Sequence, residues 1–272
     1  MPTEVLVEAL RERLRSLLWW TLGLAALIVV TVAFYPSIRD DPALSDYAKD
    51  LPESLRALFA GGELDIASPA GYLNSQIFAL MAPLILLIFA IGAGAGAVAG
   101  EEERGTLDLL LAHPLRRRDY VHQRSLALAA LVAALTIALL VTVALGSQLV
   151  DLEIGFGRLL AASVSVGLLA LLFGALALAA GAIRPGRAAI AVAAGLVVVA
   201  WLLDGLGQAV DALEPWRPLS PYYQAIGQNP LREGAPWAGW AILAAATGVL
   251  IALPGLASSV AIPASDATLA PL

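Results

Sequence analysis

The sequence predicts an all-α integral membrane protein with six transmembrane helices. Of its 272 residues, 60% are hydrophobic and 14% are charged, whereas a soluble protein is about 45–50% apolar and about 25% charged. The apolar residues are grouped in six blocks of roughly 20 residues, the length that crosses about 30 Å of hydrocarbon. Since a chain in lipid must satisfy its own backbone polar groups, uninterrupted blocks of this length are expected to be helices.

The six predicted spans have apolar interiors that are interrupted only by Gly, Ser, Thr and Pro. No span has Asp, Glu, Lys or Arg at its centre, which argues against a proton relay or an ion-coupled site. The fifth block is the shortest. The spans are expected at 17–35, 73–99, 125–145, 159–183, 188–203 and 237–256.

The segment before the first span predicts an amphipathic helix. One face of this segment is apolar, and Glu and Arg residues occupy the other faces. Trp19 and Trp20 follow the segment, and tryptophan favours the headgroup level of a bilayer. We interpret residues 1–16 as an interfacial helix that lies in the cytoplasmic interface before the chain turns into the bilayer. The alternative is an ordinary solvated leader helix. The apolar residues at helical spacing are Leu6, Leu10, Leu14 and Leu17.

The distribution of basic residues predicts the orientation. Of the 16 Lys and Arg residues, ten lie before the first span or in the connections after spans two and four. Cytoplasmic connections are enriched in Lys and Arg, so the N-terminus and residues 100–124 are expected in the cytoplasm, with the protein in the cell (cytoplasmic) membrane. Six spans place the tail, 257–272, on the same side, although it has no basic residue.

Two connections on the opposite side are long. The first, 36–72, is rich in Asp and Glu, and LPESLRALFAGG within it predicts a short helix closed by glycine. The second, 204–236, mixes amphipathic fragments with Pro, Trp and Tyr, and we expect short helices there in a re-entrant-like segment at the outer interface. The spans and connections together form a single transmembrane domain over 1–272.

Small residues in the second span predict a helix-packing face. Gly92, Gly96 and Gly100 are four residues apart, with Gly94 between the first two. Such spacing allows two helix backbones to approach closely in lipid. Pro83 is expected to bend the same helix.

Several kinds of chemistry are absent from the sequence. The single lysine, Lys49, lies in DYAKDL, so the chain has no phosphate-binding G-x-x-x-x-G-K-[ST] sequence. It has no Cys, no H-E-x-x-H and no G-x-S-x-G, and carboxylates are not spaced for a metal around His113 or His122. We therefore expect no catalytic residue, no metal site and no nucleic-acid partner.

A charged stretch, EEERGTLDLLLAHPLRRRDY, separates spans two and three at 101–120. We expect Gly105 to end one helix, Thr106 to cap a new one, and Pro114 to stop it two turns later. Asp108 lies near the positive end of this short helix. An apolar stripe this short is barely stable alone; either it occupies a groove on a protein partner, or it rests on lipid headgroups. The stripe consists of Leu107, Leu110 and Leu111.

The stretch resembles the signature of ABC type-2 exporter permeases, E-x-G-T-L-(D/E)-x-L-L-x-x-P-x-x-R. The resemblance extends to an interfacial first helix, six spans, a large first outer loop and SPYY at 220–223 before the last span. The chain departs from the family in lacking a short basic tail. The matching residues are Glu103, Gly105, Thr106, Leu107, Asp108, Leu110, Leu111, Pro114 and Arg117, with a basic Arg124 opening span three.

The resemblance implies that residues 100–124, including Glu101, form a coupling segment that docks a separate ABC ATPase subunit. It further implies a second permease copy, with spans one, two and five forming the pathway and the dimer contact. ATP and Mg²⁺ would bind to the partner ATPase, and this chain would hold no cofactor. The expected function is ATP-driven export of a cargo that the sequence does not identify. The alternatives are an ATP-independent carrier or channel, and a membrane assembly or sensor component that transports nothing.

Overall fold

The computed structural model describes residues 4–39, 52, 68–103, 117–150, 152–182 and 186–260. No β-strand occurs among these residues, which form eight α-helices, two π-helical turns and one 3₁₀ helix. The long helices are α1 (Glu4–Arg39), α3 (Met81–Glu103), α4 (Arg117–Leu149), α5 (Phe156–Gly181), α6 (Gly186–Ala209) and α8 (Trp237–Val260). The short elements are α2 (Pro69–Leu73), π turns at Asn74–Phe78 and Tyr223–Gly227, a 3₁₀ helix at Glu214–Leu219 and α7 (Pro230–Glu233).

Helix α1 is one uninterrupted helix of 36 residues. This corrects our prediction of a separate interfacial helix at 1–16. From Glu4 onwards the predicted segment and the first span form a single helix, and the chain does not turn between them. The physical reason is local: between Glu4 and Gly23 the sequence has neither Gly nor Pro, and Leu, Glu, Arg and Ala all favour a helix. At 1.5 Å per residue the helix is about 54 Å long, so it extends well beyond the hydrocarbon layer.

The second span is not a uniform α-helix. It begins at Ser68, whose hydroxyl accepts a hydrogen bond from the Gly71 N–H at 3.2 Å, and continues through α2 and the first π turn into α3. Pro83 lies in the first turn of α3 and has no N–H to donate to the carbonyl of Ala79. The first π turn, Asn74–Phe78, lies just before α3. Such a turn is a local adjustment that often accompanies a break in the hydrogen bonds of an α-helix.

Helix α5 is the centre of the helix packing. It contacts α3, α4, α6, α7 and α8, and its contact with α3 is the most extensive between any two of these elements. Of the most apolar 18 residues of α5, 72% are buried inside the protein, compared with 17% of the corresponding residues of α1. A helix that is apolar all round and enclosed by others is expected to form the core. Helix α1 lies at the edge, packs mainly on α4 and touches α3 only slightly.

Five of the described helical segments are long and apolar enough to cross a membrane: Arg13–Ser37, Pro69–Ala97, Val121–Leu149, Phe156–Gly181 and Gly186–Ala209. They coincide with the first five predicted spans. Helix α8 occupies the position of the sixth, but its described apolar part, Trp237–Ala252, is shorter. The sixth span therefore stays a prediction.

Some predicted features lie outside the described residues. These are 104–116, which holds most of the charged stretch; 40–51 and 53–67, which hold most of the acidic loop and its predicted helix; and the tail from 261 onwards.

Candidate functional site

The charged stretch is attached to two long helices that the structure describes. Helix α3 continues to Glu103, so Gly100, Glu101 and Glu103 belong to its last turn, and α4 begins at Arg117. The predicted coupling residues from Gly105 to Pro114 lie outside the described part. Since α3 and α4 contact each other and both pack on α5, a force on the intervening stretch would act directly on the helical core.

Glycines mediate the closest approach between α3 and α5. A Cβ atom added to Gly94 would collide with the backbone carbonyl of Gly174, and a Cβ on Gly174 would lie 3.1 Å from the carbonyl oxygen of Ala90. Backbone atoms cannot move aside as a flexible side chain can. These glycines are therefore required for the observed spacing of the two helices.

The predicted packing residues Gly92 and Gly96 have a different neighbour. The Arg13 guanidinium of α1 donates a hydrogen bond to the Gly92 carbonyl at 3.4 Å, and its Nη2 occupies the space where a Gly96 Cβ would stand. A Cβ on Gly92 would meet nothing within 4 Å. Within the described part of the chain, Gly96 thus leaves room for Arg13, Gly92 binds the same arginine through its carbonyl, and Gly94 makes the close helix contact.

A buried ion pair lies at the end of α6. Both Nε and Nη2 of Arg217 donate to Oδ1 of Asp204, at 3.3 and 3.1 Å, and the two side chains are 19% and 10% exposed. The aliphatic stem of Arg217 fits against Gly207, where a Cβ would collide with it. The guanidinium also lies over the ring of Tyr223, 5.1 Å from its centroid, a cation–π arrangement.

Three more contacts join the same region into what we call the Asp204 cluster, defined by Asp204, Arg217, Ser220, Tyr222, Tyr223 and Gln224. The Ser220 hydroxyl donates to the Ala200 carbonyl at 2.7 Å and accepts from the Tyr222 N–H at 3.1 Å. Gln224 donates to the Pro218 carbonyl at 2.6 Å. Burial, and secondarily the charge of Asp204, raises the pKa of Tyr222 well above its usual value, so this phenol stays neutral.

The Asp204 cluster fastens the segment 210–236 to α6, and a second contact fastens α8 to α5. The indole N–H of Trp240 donates to the Ser165 hydroxyl at 2.8 Å, and Gly239 allows α8 to approach the backbone of Gln224. The short helices that we predicted in 204–236 are present as the 3₁₀ helix, the second π turn and α7. Their depth in a bilayer remains a prediction.

Sequence reasoning missed two features of this arrangement. We predicted that span five ended at 203 and that Asp204 lay in the following loop, but α6 continues to Ala209 and buries this carboxylate. The signal available was Arg217, a single basic residue downstream that could pair with Asp204. The predicted packing face contained Gly92 and Gly96 but not Gly94, because an alternating run of glycines is compatible with several packing faces. No group of three His, Cys, Asp or Glu side chains suited to a metal occurs among the described residues.

The comparisons with known proteins identify the family. Residues 5–259 match the family described as ABC-2 family transporter protein. Comparison with curated proteins gives no match. The family match covers nearly the whole chain, including all eight α-helices except the first residue of α1 and the last of α8, and the charged stretch between α3 and α4. The chain therefore belongs to the ABC-2 family of transporter proteins, whose members are membrane components of ABC transporters.

Proposed function

We propose that this protein is the permease subunit of an ATP-driven exporter and that residues 101–118 dock a separate ABC ATPase subunit. The observation that carries the proposal is the charged stretch, which agrees at nine positions with the family's coupling pattern. It connects α3 to α4, two helices packed on the central helix α5. Movement of a docked partner would therefore be transmitted directly to the membrane helices.

The sequence supports a division of labour between two subunits. This chain has no G-x-x-x-x-G-K-[ST] segment with which to cradle a nucleotide. ATP and Mg²⁺ would therefore bind to the partner, and a second copy of the permease, or a related one, would complete the pathway. The N-terminus and the docking stretch would face the cytoplasm, since the basic residues are concentrated on that side.

An ATP-independent carrier is the second candidate. Carriers usually keep an ionisable side chain within the membrane to bind an ion or substrate. Among the described residues of the spans, the buried charged side chain is Asp204, and Arg217 neutralises it near the end of α6. This arrangement favours a structural role over ion coupling, and so favours the ATP-driven permease.

The test replaces Leu110 and Leu111 by Ser in the tagged chain, which is purified from cells with the bound ATPase subunit. Each buried leucine contributes roughly 1.5–3 kcal/mol, and about 1.4 kcal/mol is a tenfold change in affinity. We expect association to weaken at least tens-fold and ATP hydrolysis to lose its dependence on the permease. The membrane helices are untouched, so the variant should elute from gel filtration as the wild type does.

The matched control removes two exposed leucines elsewhere, Leu149→Ser with Leu219→Ser. This control should retain the ATPase. Undiminished co-purification and coupled ATP hydrolysis in the Leu110→Ser, Leu111→Ser variant would contradict the docking proposal and place the leucine stripe on lipid headgroups.

A further inference from the structure

Hydrogen bonds join α1 to the second span at two distant points. At one, Arg13 donates to the Gly92 carbonyl of α3, as described above. At the other, the Tyr72 hydroxyl of α2 donates to the Thr31 carbonyl of α1 at 2.8 Å. Arg13 and Thr31 are separated by about 27 Å along α1, at 1.5 Å per residue. The second span is therefore fastened to α1 at widely separated levels, although α1 touches α3 only slightly.

The second of these points, which we call the Tyr72 contact, consists of Thr31, Tyr35 and Tyr72. The rings of Tyr35 and Tyr72 lie 5.0 Å apart, within the range of attractive aromatic pairs. The two tyrosines are 3% and 2% exposed. Residues of the same chain cover them, so the burial of this contact does not depend on a second copy of the protein.

The acceptor of the hydrogen bond lies in a turn of α1 that a proline disturbs. Pro36 is inside α1 and has no N–H to donate to the carbonyl of Val32, the residue after Thr31. Its ring also pushes that carbonyl away from the helix axis. A donor from a neighbouring helix can therefore reach the carbonyl oxygens of this turn.

The part of the second span that carries Tyr72 is separated from α3 by a break in the helix. The first π turn ends at Phe78 and α3 begins at Met81, so residues 79–80 interrupt the helix. Pro83 removes a further backbone hydrogen bond across this break. Helices bend at such positions. Residues 69–78, which we call the 69–78 segment, can therefore change their angle to α3 while both parts stay helical.

Polar contacts decide where a helical segment lies in a bilayer. Exposing an apolar side chain to lipid costs little, because the hydrocarbon tails are as apolar as leucine, so helices are held together by packing and by hydrogen bonds between them. Tyr72 gives the 69–78 segment such a bond to α1. The hydroxyl of Ser75, by contrast, donates within the segment, to the Tyr72 carbonyl.

We propose that the Tyr72 contact is a latch. The 69–78 segment has two populated positions, one fastened to α1 and one released from it by bending at residues 79–80, and the Tyr72 hydroxyl stabilises the fastened position. The contact of Arg13 lies on α3, beyond the break, and holds in both positions. This inference goes beyond the proposed export function and does not depend on it, because neither the ATPase nor the transported cargo takes part.

The experiment measures the distance between α1 and the 69–78 segment in the full-length protein in lipid nanodiscs. Spin labels are attached at Ser37→Cys and Gln76→Cys, two exposed positions in a chain without native cysteine. Dilution with unlabelled protein suppresses distances between copies. Pulsed double electron–electron resonance should give a shorter distance for the fastened position and a longer one for the released position.

Tyr72→Phe keeps the ring and removes the hydroxyl. It should raise the ratio of released to fastened protein about threefold, the average effect of one hydrogen bond between membrane helices. Tyr35→Leu removes the ring contact and should raise the same ratio. Thr31→Val is the matched control, because it removes a hydroxyl that donates to the Leu27 carbonyl within α1 and leaves the Thr31 backbone carbonyl in place. The control should give the distances of the wild type.

A second pair of labels, at Leu14→Cys and Ile88→Cys, reports on the contact near Arg13, since both positions are exposed. Their distance should be the same with and without the Tyr72 hydroxyl. Three outcomes would overturn the proposal. The first is one unchanged distance between positions 37 and 76 in the wild type and in Tyr72→Phe. The second is an equal effect of Thr31→Val. The third is a matching increase between positions 14 and 88, which would show that α1 separates from the whole span.

Discussion

At the scale of single residues, the Asp204–Arg217 pair shows how a charge is accommodated at the end of a membrane helix. The carboxylate accepts two hydrogen bonds from one guanidinium, which also rests on an aromatic ring. Removing one member of such a pair leaves the other charge desolvated without a partner, which costs more than the pair itself contributes.

We expect Asp204→Asn to lower the free energy of unfolding by roughly 3 kcal/mol, near the lower end for buried pairs because Arg217 keeps some contact with solvent. Arg217→Met should have a comparable effect. The double variant should be less destabilised than the sum of the two, because neither member is then left unpaired. Thermal unfolding in detergent measures all three.

Asp211→Asn is the control for this cycle, since Asp211 is exposed on the same segment. Its midpoint of unfolding should equal that of the wild type. Identical midpoints for Asp204→Asn and the wild type would show that the pair has no role in fastening the segment 210–236 to α6.

At the scale of helices, hydropathy predicted the positions of five apolar helical segments and missed where the helices end. The first five spans were placed within a few residues of the observed apolar segments. The helices themselves extend further, α1 from Glu4 and α4 from Arg117. Apolar runs report which residues avoid water, whether they face lipid or the helical core, whereas helix continuation depends on backbone propensity. Charged helical turns beyond the apolar segments therefore cannot be found from hydropathy.

The choice of packing face also could not be made from the glycine spacing alone. Gly92 and Gly96 fit the expected period as well as Gly94 does, and the face that is used depends on Gly174, a residue of another helix. The spacing of the glycines predicts that α3 packs closely against another helix. Which glycine makes the contact depends on the position of that other helix, which the spacing does not give.

The two glycine faces give a paired prediction. Gly94→Ala should destabilise the protein by about 1–3 kcal/mol, because the new methyl group meets backbone that can move only if α3 and α5 separate. Gly92→Ala should change stability by less than about 1 kcal/mol, since the position is open and alanine favours a helix. Unfolding of both variants in the same detergent checks the order, and equal midpoints would contradict the assignment of Gly94 to the contact.

At the scale of the whole molecule, the distribution of basic residues predicts which side of the membrane the charged stretch faces. We expect a cysteine at His113 to be protected from a membrane-impermeant maleimide in intact cells. A cysteine at Gln148, an exposed position at the far end of α4, should react. The chain has no native cysteine, so each signal comes from one site. Labelling of position 113 from outside would reverse the proposed orientation.

The whole-molecule arrangement also relates the charged stretch to the opposite end of the second span. Helix α3 touches α5 most closely at Gly94, with Glu103 about 14 Å along the axis on one side and Met81 about 20 Å on the other, at 1.5 Å per residue. The two helices are also in contact elsewhere along their length, but no side chain separates their backbones at Gly94 and Gly174, so we take this point as the fulcrum of any tilt. If α3 tilts about this fulcrum as a rigid rod, a displacement at Glu103 reaches Met81 reversed in direction and about 1.4 times as large. A push on the charged stretch would thereby become a wider, opposite swing of the end that adjoins the first π turn.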